Sequence, residues 1–153
     1  MSLTREQVIN FVKACQKLNY SVGYTSGCFD ILHAGHVEFL QKVKCRCQVL
    51  IVGLNSDSSV KKLKGDNRPI NNVLNREKVL NTIVDAVFIF DEENNNKNIQ
   101  LIKPDIYFKA GDYDKSKLTS AKYVEEYGGR VEIIPIETNT STTKIINKIR
   151  GIK

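Results

Sequence analysis

The sequence predicts an α/β fold, a parallel sheet with helices on both faces. Three observations carry this. Strand-like runs alternate with helical segments along the whole chain. One run, CQVLIVGLN (Cys47 to Asn55), is apolar almost without interruption, as a strand covered on both faces must be. The chain has 153 residues, 41% hydrophobic and 26% charged, enough for one well-buried core, and neither an internal repeat nor a linker divides it. The expected organisation is a single domain over 1–153, with an N-terminal helix within 1–19 and a catalytic core over 20–150.

Each element has its own signal. Thr4-x-x-Gln7 has the form of a capping box, and Val8, Phe11, Val12, Cys15 and Leu18 follow at helical spacing, which predicts a helix to about Leu18. Tyr20 to Ser26 reads as the first strand, ended by Gly27. A helix starts near Gly35, because Val37, Leu40 and Val43 recur on one face. After the second strand, Lys61, Lys62 and Lys64 fall on an expected loop ending in Gly65-Asp66. Asn75 to Val84 reads as a helix and Ala86 to Phe90 as the third strand. Glu92 to Asn98 (EENNNKN) is a solvated loop or helix start, and Asn98 to Ile102 a short helix stopped by Pro104. Asp105 to Lys109 is the fourth strand. Ser116 to Tyr127 is expected as one helix closed by Gly128-Gly129. Arg130 to Ile136 is the fifth strand, and Thr142 to Arg150 the last helix.

Composition narrows the function classes. No apolar run approaches the length of a membrane span, and the start of the sequence lacks the pattern of a secretory signal, so the expected setting is the cytoplasm. The four cysteines (Cys15, Cys28, Cys45, Cys47) are irregularly spaced and read as reduced, packed thiols rather than a zinc framework. A net charge of +6 suggests an anionic partner. That partner is nucleic acid, an acidic membrane or a phosphorylated small molecule, and charge alone does not choose; the basic residues are dispersed, apart from Lys61, Lys62, Lys64 and Arg68, which is weak support for a nucleic-acid stripe.

In an open parallel sheet, ligands bind beyond the carboxyl ends of the strands. Four polar segments fall there: Gly27 to His36, Asn55 to Asp57, Lys109 to Asp112, and Thr138 to Thr143. The first contains both histidines of the chain, His33 and His36, one helical turn apart. Gly27 turns the chain so that the amides of Cys28 and Phe29 face an anion, and Gly35 opens a helix whose free N–H groups favour phosphate. Both imidazoles would then flank the same phosphate. The plainer reading is that they cap or pack the helix start. Lys61 and Lys64 could close over phosphates or form a solvated face, and Arg76 is equally ambiguous. Asp112 could meet a ribose hydroxyl or Mg²⁺, or simply cap a turn. Ser141, Thr142 and Thr143 could cap the last helix or bind phosphate at its start.

At GCFDILHAGH the sequence resembles the nucleotidyltransferase superfamily, with its His-x-Gly-His signature after a first strand. NSDSSVKKLKG, NRPINNVLNR, KAGDY and STTKIINKI, in this order, make it similar to the adenylyltransferase domain of bifunctional heptose kinase/heptose 1-phosphate adenylyltransferases. The likeness runs from about Tyr20 to Arg150. It implies a Rossmann-like nucleotidyltransferase fold and a Mg²⁺-dependent reaction, with ATP as the Mg²⁺-bound substrate. A phosphate oxygen of a sugar 1-phosphate, here D-glycero-D-manno-heptose 1-phosphate, attacks the α-phosphorus of ATP. The product is an ADP-sugar of the kind used in lipopolysaccharide core biosynthesis.

Carried onto this chain, the resemblance makes His33, His36 and Lys64 catalytic. Cys28, Phe29, Gly35, Asp112, Ser141, Thr142 and Thr143 bind ATP, Lys61 and Arg76 meet the substrate phosphate, and no residue is a dedicated metal ligand. It also implies ATP and a phosphorylated small molecule as partners, with neither nucleic acid nor a membrane, a homodimer, and a separate sugar kinase upstream. Related cytidylyltransferases carry Arg-Thr-Glu-Gly-Ile-Ser-Thr-Thr where this chain reads IETNTSTT, with Ile136 at the arginine position, which favours adenine. The rivals are a cytidylyltransferase using CTP with glycerol 3-phosphate or a phosphorylated amino alcohol, an FMN adenylyltransferase, and a nucleotide-sensing or RNA-binding module without turnover.

Overall fold

A computed structural model describes residues 1–111 and 114–152. Its elements run α1 (Arg5–Lys17), β1 (Val22–Gly27), α2 (Ala34–Lys44), β2 (Val49–Asn55), α3 (Asp57–Lys64), α4 (Val73–Leu80), β3 (Ala86–Phe90), α5 (Asn96–Ile102), β4 (Ile106–Ala110), a 3₁₀ turn (Lys115–Lys117), α6 (Ala121–Glu126), β5 (Arg130–Ile134) and α7 (Thr142–Ile149). The five strands form one parallel sheet in the order β3-β2-β1-β4-β5. The chain builds outward from β1 to β3, then crosses to β4 on the other side. That reversal opens a crevice at the carboxyl ends of β1 and β4.

Two apolar layers sandwich the sheet. On one face Val8, Val12, Ile99, Ile102 and Val124 of α1, α5 and α6 pack on Tyr24, Ile51 and Phe88. On the other, Leu40, Val43 and Leu80 of α2 and α4 pack on Leu50, Val52, Val87 and Phe108. This double coverage explains the apolar run of β2, which is buried from Leu50 to Asn55. The capping box of α1 forms as read, with Thr4 Oγ1 accepting from the Gln7 amide and Gln7 Oε1 accepting from the Thr4 amide. No helix among the described residues is long and apolar enough to cross a membrane.

Two expectations are corrected. The lysines 61, 62 and 64 lie on a helix, α3, because Ser56 caps it by accepting from the Ser59 amide, and Gly65 at φ 99 ends it. The single helix expected from Ser116 to Tyr127 is divided. Asp114 caps a 3₁₀ turn through the Ser116 amide, and Leu118, extended at φ −81 and ψ 114, breaks the spiral before α6 begins.

Candidate active site

The loop from β1 to α2 is the centre of the site. Asp30 lies in it between Phe29 and Ile31, which both have positive φ, 45° and 52°. Two such residues flanking one carboxylate cost stability of roughly 1–2 kcal/mol each. The loop is held by what Asp30 binds. Its side chain, fully buried, accepts from Arg68 Nε at 2.8 Å and from the amides of Ile70 at 2.7 Å and Asn71 at 2.9 Å. Burial alone would raise its pKa. The Asn71 and Ile70 amides and the Arg68 guanidinium outweigh that and hold it below the usual carboxylate value. Thr142 Oγ1 donates to the Asp30 carbonyl at 2.6 Å, so the start of α7 is tied to the same loop.

His33 caps α2 with its ring: Nδ1 accepts from the Gly35 amide at 3.1 Å, and the His33 amide donates to His36 Nδ1 at 3.4 Å. The two rings stack at 3.8 Å between centroids. With both Nδ1 atoms accepting, the neutral rings carry their proton on Nε2, which leaves two N–H donors side by side. Burial, reinforced by the neighbouring His33 and opposed by Asp30, lowers the His36 pKa from 6.5 to about 4. Burial lowers His33 as well. Both are therefore neutral hydrogen-bond donors near pH 7. The glycine between them gives the stacked rings room, since a Cβ on Gly35 would come within 3.1 Å of His33 Cε1.

The cleft has two lobes that share Ser26 to Phe29, His36 and Lys109. The first, of 430 Å³, lies over β1, β4 and β5 and is lined by Phe39, Ala110, Ile136 and Thr138 besides His33 and His36. The second, of 450 Å³, carries Lys64, Arg68 and Lys109 together with Ser141, Thr142 and Thr143, and ends on Phe90, Glu93 and Asn95 after β3. The wall of the first lobe at Thr138 is fixed by Glu38 of α2. Its carboxylate accepts from Lys42, from the Thr138 hydroxyl, and from the amides of Glu137 and Thr138 at 3.0 Å each. Those bonds, Lys42 first, bring the Glu38 pKa to about 2.

The structure thus gathers Cys28, Phe29, Gly35, His33, His36, Lys64 and the Ser141–Thr143 segment around one cleft. Within that segment Ser141 is the cap of α7, accepting from the Lys144 amide, and Thr142 holds Asp30. Among the described residues, Thr143 alone of the three makes no side-chain hydrogen bond. Lys61 lies away, on a separate surface hollow with Asp57 and Asp66. Arg76 departs from its expected place on the substrate phosphate. It is 2% exposed, and its guanidinium donates to the carbonyls of Cys28 at 2.7 Å, Asn55 at 2.9 Å and Asn71 at 2.9 Å, and to Asp57 at 2.7 Å. It fastens the ends of β1 and β2 together beneath the cleft. Asp112 lies outside the described residues.

Asp30 and Thr138 fall in segments expected at the ligand edge and Arg68 in the basic cluster, but none of them was given a role, and Glu38 was missed altogether. Asp30 carried a signal, a carboxylate inside the loop that opens the histidine helix, whereas Glu38 meets Thr138 across a hundred residues of sequence. The cysteines are free thiols, and no group of three histidine, cysteine or acidic side chains able to hold a metal occurs among the described residues.

Comparison with known proteins agrees with this geometry. The bifunctional protein HldE of Hyphomonas neptunium is 42% identical over 146 residues, 94% of this chain and 30% of the relative. That of Pseudomonas fluorescens is 42% identical over 151 residues, 97% of this chain and 32% of the relative. The chain spans about a third of the length of these relatives. Among solved structures, the lipopolysaccharide core biosynthesis protein from Thermoplasma volcanium superposes with a TM-score of 0.65 at 26% identity, over 79% of this chain and 99% of that one. The pantoate-beta-alanine ligase of Francisella tularensis shares the fold, with a TM-score of 0.63 at 16% identity, over 99% of this chain and 78% of that one. Residues 24–151 match the cytidylyltransferase-like family, and with its paired histidines at the carboxyl end of β1 the chain belongs to that family of nucleotidyltransferases.

Proposed function

We propose that the chain transfers AMP from ATP to a sugar 1-phosphate, with D-glycero-D-manno-heptose 1-phosphate as the leading acceptor, and releases pyrophosphate. The observation that carries this is the two-lobed cleft whose lobes share His36 of the stacked histidine pair. The nucleoside occupies the first lobe, against Phe39 and Ile136, and the acceptor phosphate enters the second, beside Lys64 and Arg68. An oxygen of that phosphate attacks the α-phosphorus. A new P–O bond forms, the bond from the α-phosphorus to the α–β bridging oxygen breaks, and pyrophosphate leaves with the electron pair. No side chain needs to act as a nucleophile. The Nε2–H groups of His33 and His36 donate to the phosphoryl oxygens as charge builds on them, and preorganised donors of this kind act with little reorganisation.

Magnesium would enter this site with the triphosphate. The Asp30 carboxylate in the cleft is already committed to Arg68, Ile70 and Asn71, and among the described residues no three histidine, cysteine or acidic side chains are grouped to hold a metal. Mg²⁺ usually keeps several waters and binds largely through substrate phosphates. Likeness to the bifunctional HldE proteins and to a lipopolysaccharide core biosynthesis protein supports the sugar acceptor. Ile136 in the first lobe supports adenine, since its apolar side chain offers a cytosine edge no hydrogen bond.

The alternative is CTP with glycerol 3-phosphate or a phosphorylated amino alcohol, and the cytidylyltransferase-like family description speaks for its nucleotide alone. Pyrophosphate release, measured with ATP and CTP against sugar 1-phosphates and glycerol 3-phosphate, tests the reading. ATP with a sugar 1-phosphate should give the highest kcat/KM. A higher value for CTP would replace the adenylyl reading with the cytidylyl one.

A further inference from the structure

The second lobe holds a group that phosphate binding does not use. Glu93, on the loop after β3, lines it and is exposed. A carboxylate repels phosphate, so its place in a lobe supplied with Lys64 and Arg68 calls for another ligand group. Its neighbours are tied down. Asp91 accepts from Ser58, and Glu92 pairs with Arg5 and Lys97 while its carbonyl accepts from Ser59. Glu93 makes no hydrogen bond or ion pair among the described residues.

Asn95 stands beside it at the N-cap position of α5, where asparagine usually caps. Here its side chain makes no cap bond. Instead Asn95 Oδ1 accepts from the Tyr24 hydroxyl at 2.7 Å, and Nδ2 donates to Ser26 Oγ. Tyr24 is fully buried, and that burial raises its phenol pKa well above the ordinary value, so it remains a donor. The contact exists because β2 carries Gly53 at this level: a Cβ there would lie 2.4 Å from the Tyr24 hydroxyl. A buried tyrosine, a glycine gap and a diverted cap together fix the loop that presents Glu93. In the strand order β3 is two places from β1, roughly 10 Å away. That span suits a phosphate at one end and a hydroxylated body at the other.

We propose that Glu93 and Asn95 form the specificity wall of the acceptor lobe, reading the hydroxyls of a polyhydroxylated phosphate ester, with Tyr24 as the residue that positions Asn95. Glu93 accepts from acceptor hydroxyls, and the remaining Asn95 amide hydrogen donates to one. The inference rests on the nucleotidyl-transfer reading above.

The test is steady-state pyrophosphate release by the wild type, Glu93→Gln and Tyr24→Phe, with ATP and either a sugar 1-phosphate or glycerol 3-phosphate. Glu93→Gln should raise the KM for the sugar phosphate about tenfold, the loss of one hydrogen bond to a charged group. The KM for ATP should stay the same, and glycerol 3-phosphate, with fewer hydroxyls, should be affected less. Tyr24→Phe should raise the sugar phosphate KM in the same selective way while kcat at saturation is kept. Glu93→Gln alters an exposed side chain, so its result stands even if Tyr24→Phe folds poorly. An unchanged acceptor KM in Glu93→Gln, or a parallel rise for ATP, overturns the proposal while wild-type turnover upholds the transfer reading. A wild type inactive with every phosphate acceptor overturns both.

Discussion

Arg76→Ala separates two roles for one buried arginine. The guanidinium makes four hydrogen bonds, to the carbonyls of Cys28, Asn55 and Asn71 and to the Asp57 carboxylate. The Asp57 side chain is 44% exposed, so water replaces that partner and the lost pair costs about 1 kcal/mol at most. The carbonyls lie under the cleft, and each loses a charged donor that contributes about 1.5–3 kcal/mol. Water entering the vacated volume recovers part of this, leaving a destabilisation of about 3–5 kcal/mol. At roughly 2–4 °C per kcal/mol for a chain of this size, the melting temperature should fall by about 10 °C. Arg76→Lys keeps the charge but reaches fewer carbonyls, and should recover less than half of the loss. Thermal and urea unfolding give the magnitude, and the acceptor-phosphate KM, measured well below the transition, gives the second readout. An unchanged melting temperature with a raised KM would refute the clamp and return Arg76 to direct phosphate contact.

Three further outcomes follow from the site. His36→Ala should lower kcat by about 10²–10³ with the fold retained, and near-normal kcat in the folded variant would remove His36 from the chemistry. Lys64→Ala should raise the acceptor-phosphate KM or lower kcat while stability shifts by less than about 0.5 kcal/mol; a large loss of stability without a kinetic effect would make Lys64 structural. The third concerns pH. Because the native His36 pKa is depressed from 6.5 to about 4, the unfolded chain binds a proton between those values that the native state does not. Stability should therefore fall as pH drops from 6.5 toward about 4, and be independent of this group above 6.5. Urea unfolding across that window should show a shallower loss in His36→Gln, and an identical profile would assign the slope elsewhere.

The sheet was legible in the sequence because a strand buried on both faces has to be apolar along its length, and β2 and β3 fall within one or two residues of where the runs predict. The helix bearing the histidines was legible for a similar reason: its cap and its apolar face are local. The histidine site was readable too, since strand, turn, donors and helix start lie within fifteen consecutive residues. Elements fixed by competing local bonds were harder. Ser56 drew the lysines into α3, and Asp114 with an extended Leu118 divided the segment before β5, although helical spacing alone runs through it.

What the sequence by itself determined is therefore the architecture and the place of the two imidazoles at the carboxyl edge of the sheet, beside the cleft. Only the tertiary structure decided how the long polar side chains are spent. Arg76, a phosphate ligand on paper, is enclosed by carbonyls of three separate segments. Asp30 holds a loop forty residues on, and Tyr24 reaches Asn95 over the missing side chain of Gly53. An arginine or an aspartate reads the same in a sequence whether it faces solvent, a ligand or a buried carbonyl. Its partner is chosen by which strands become neighbours, and that depends on the order β3-β2-β1-β4-β5 rather than on distance along the chain.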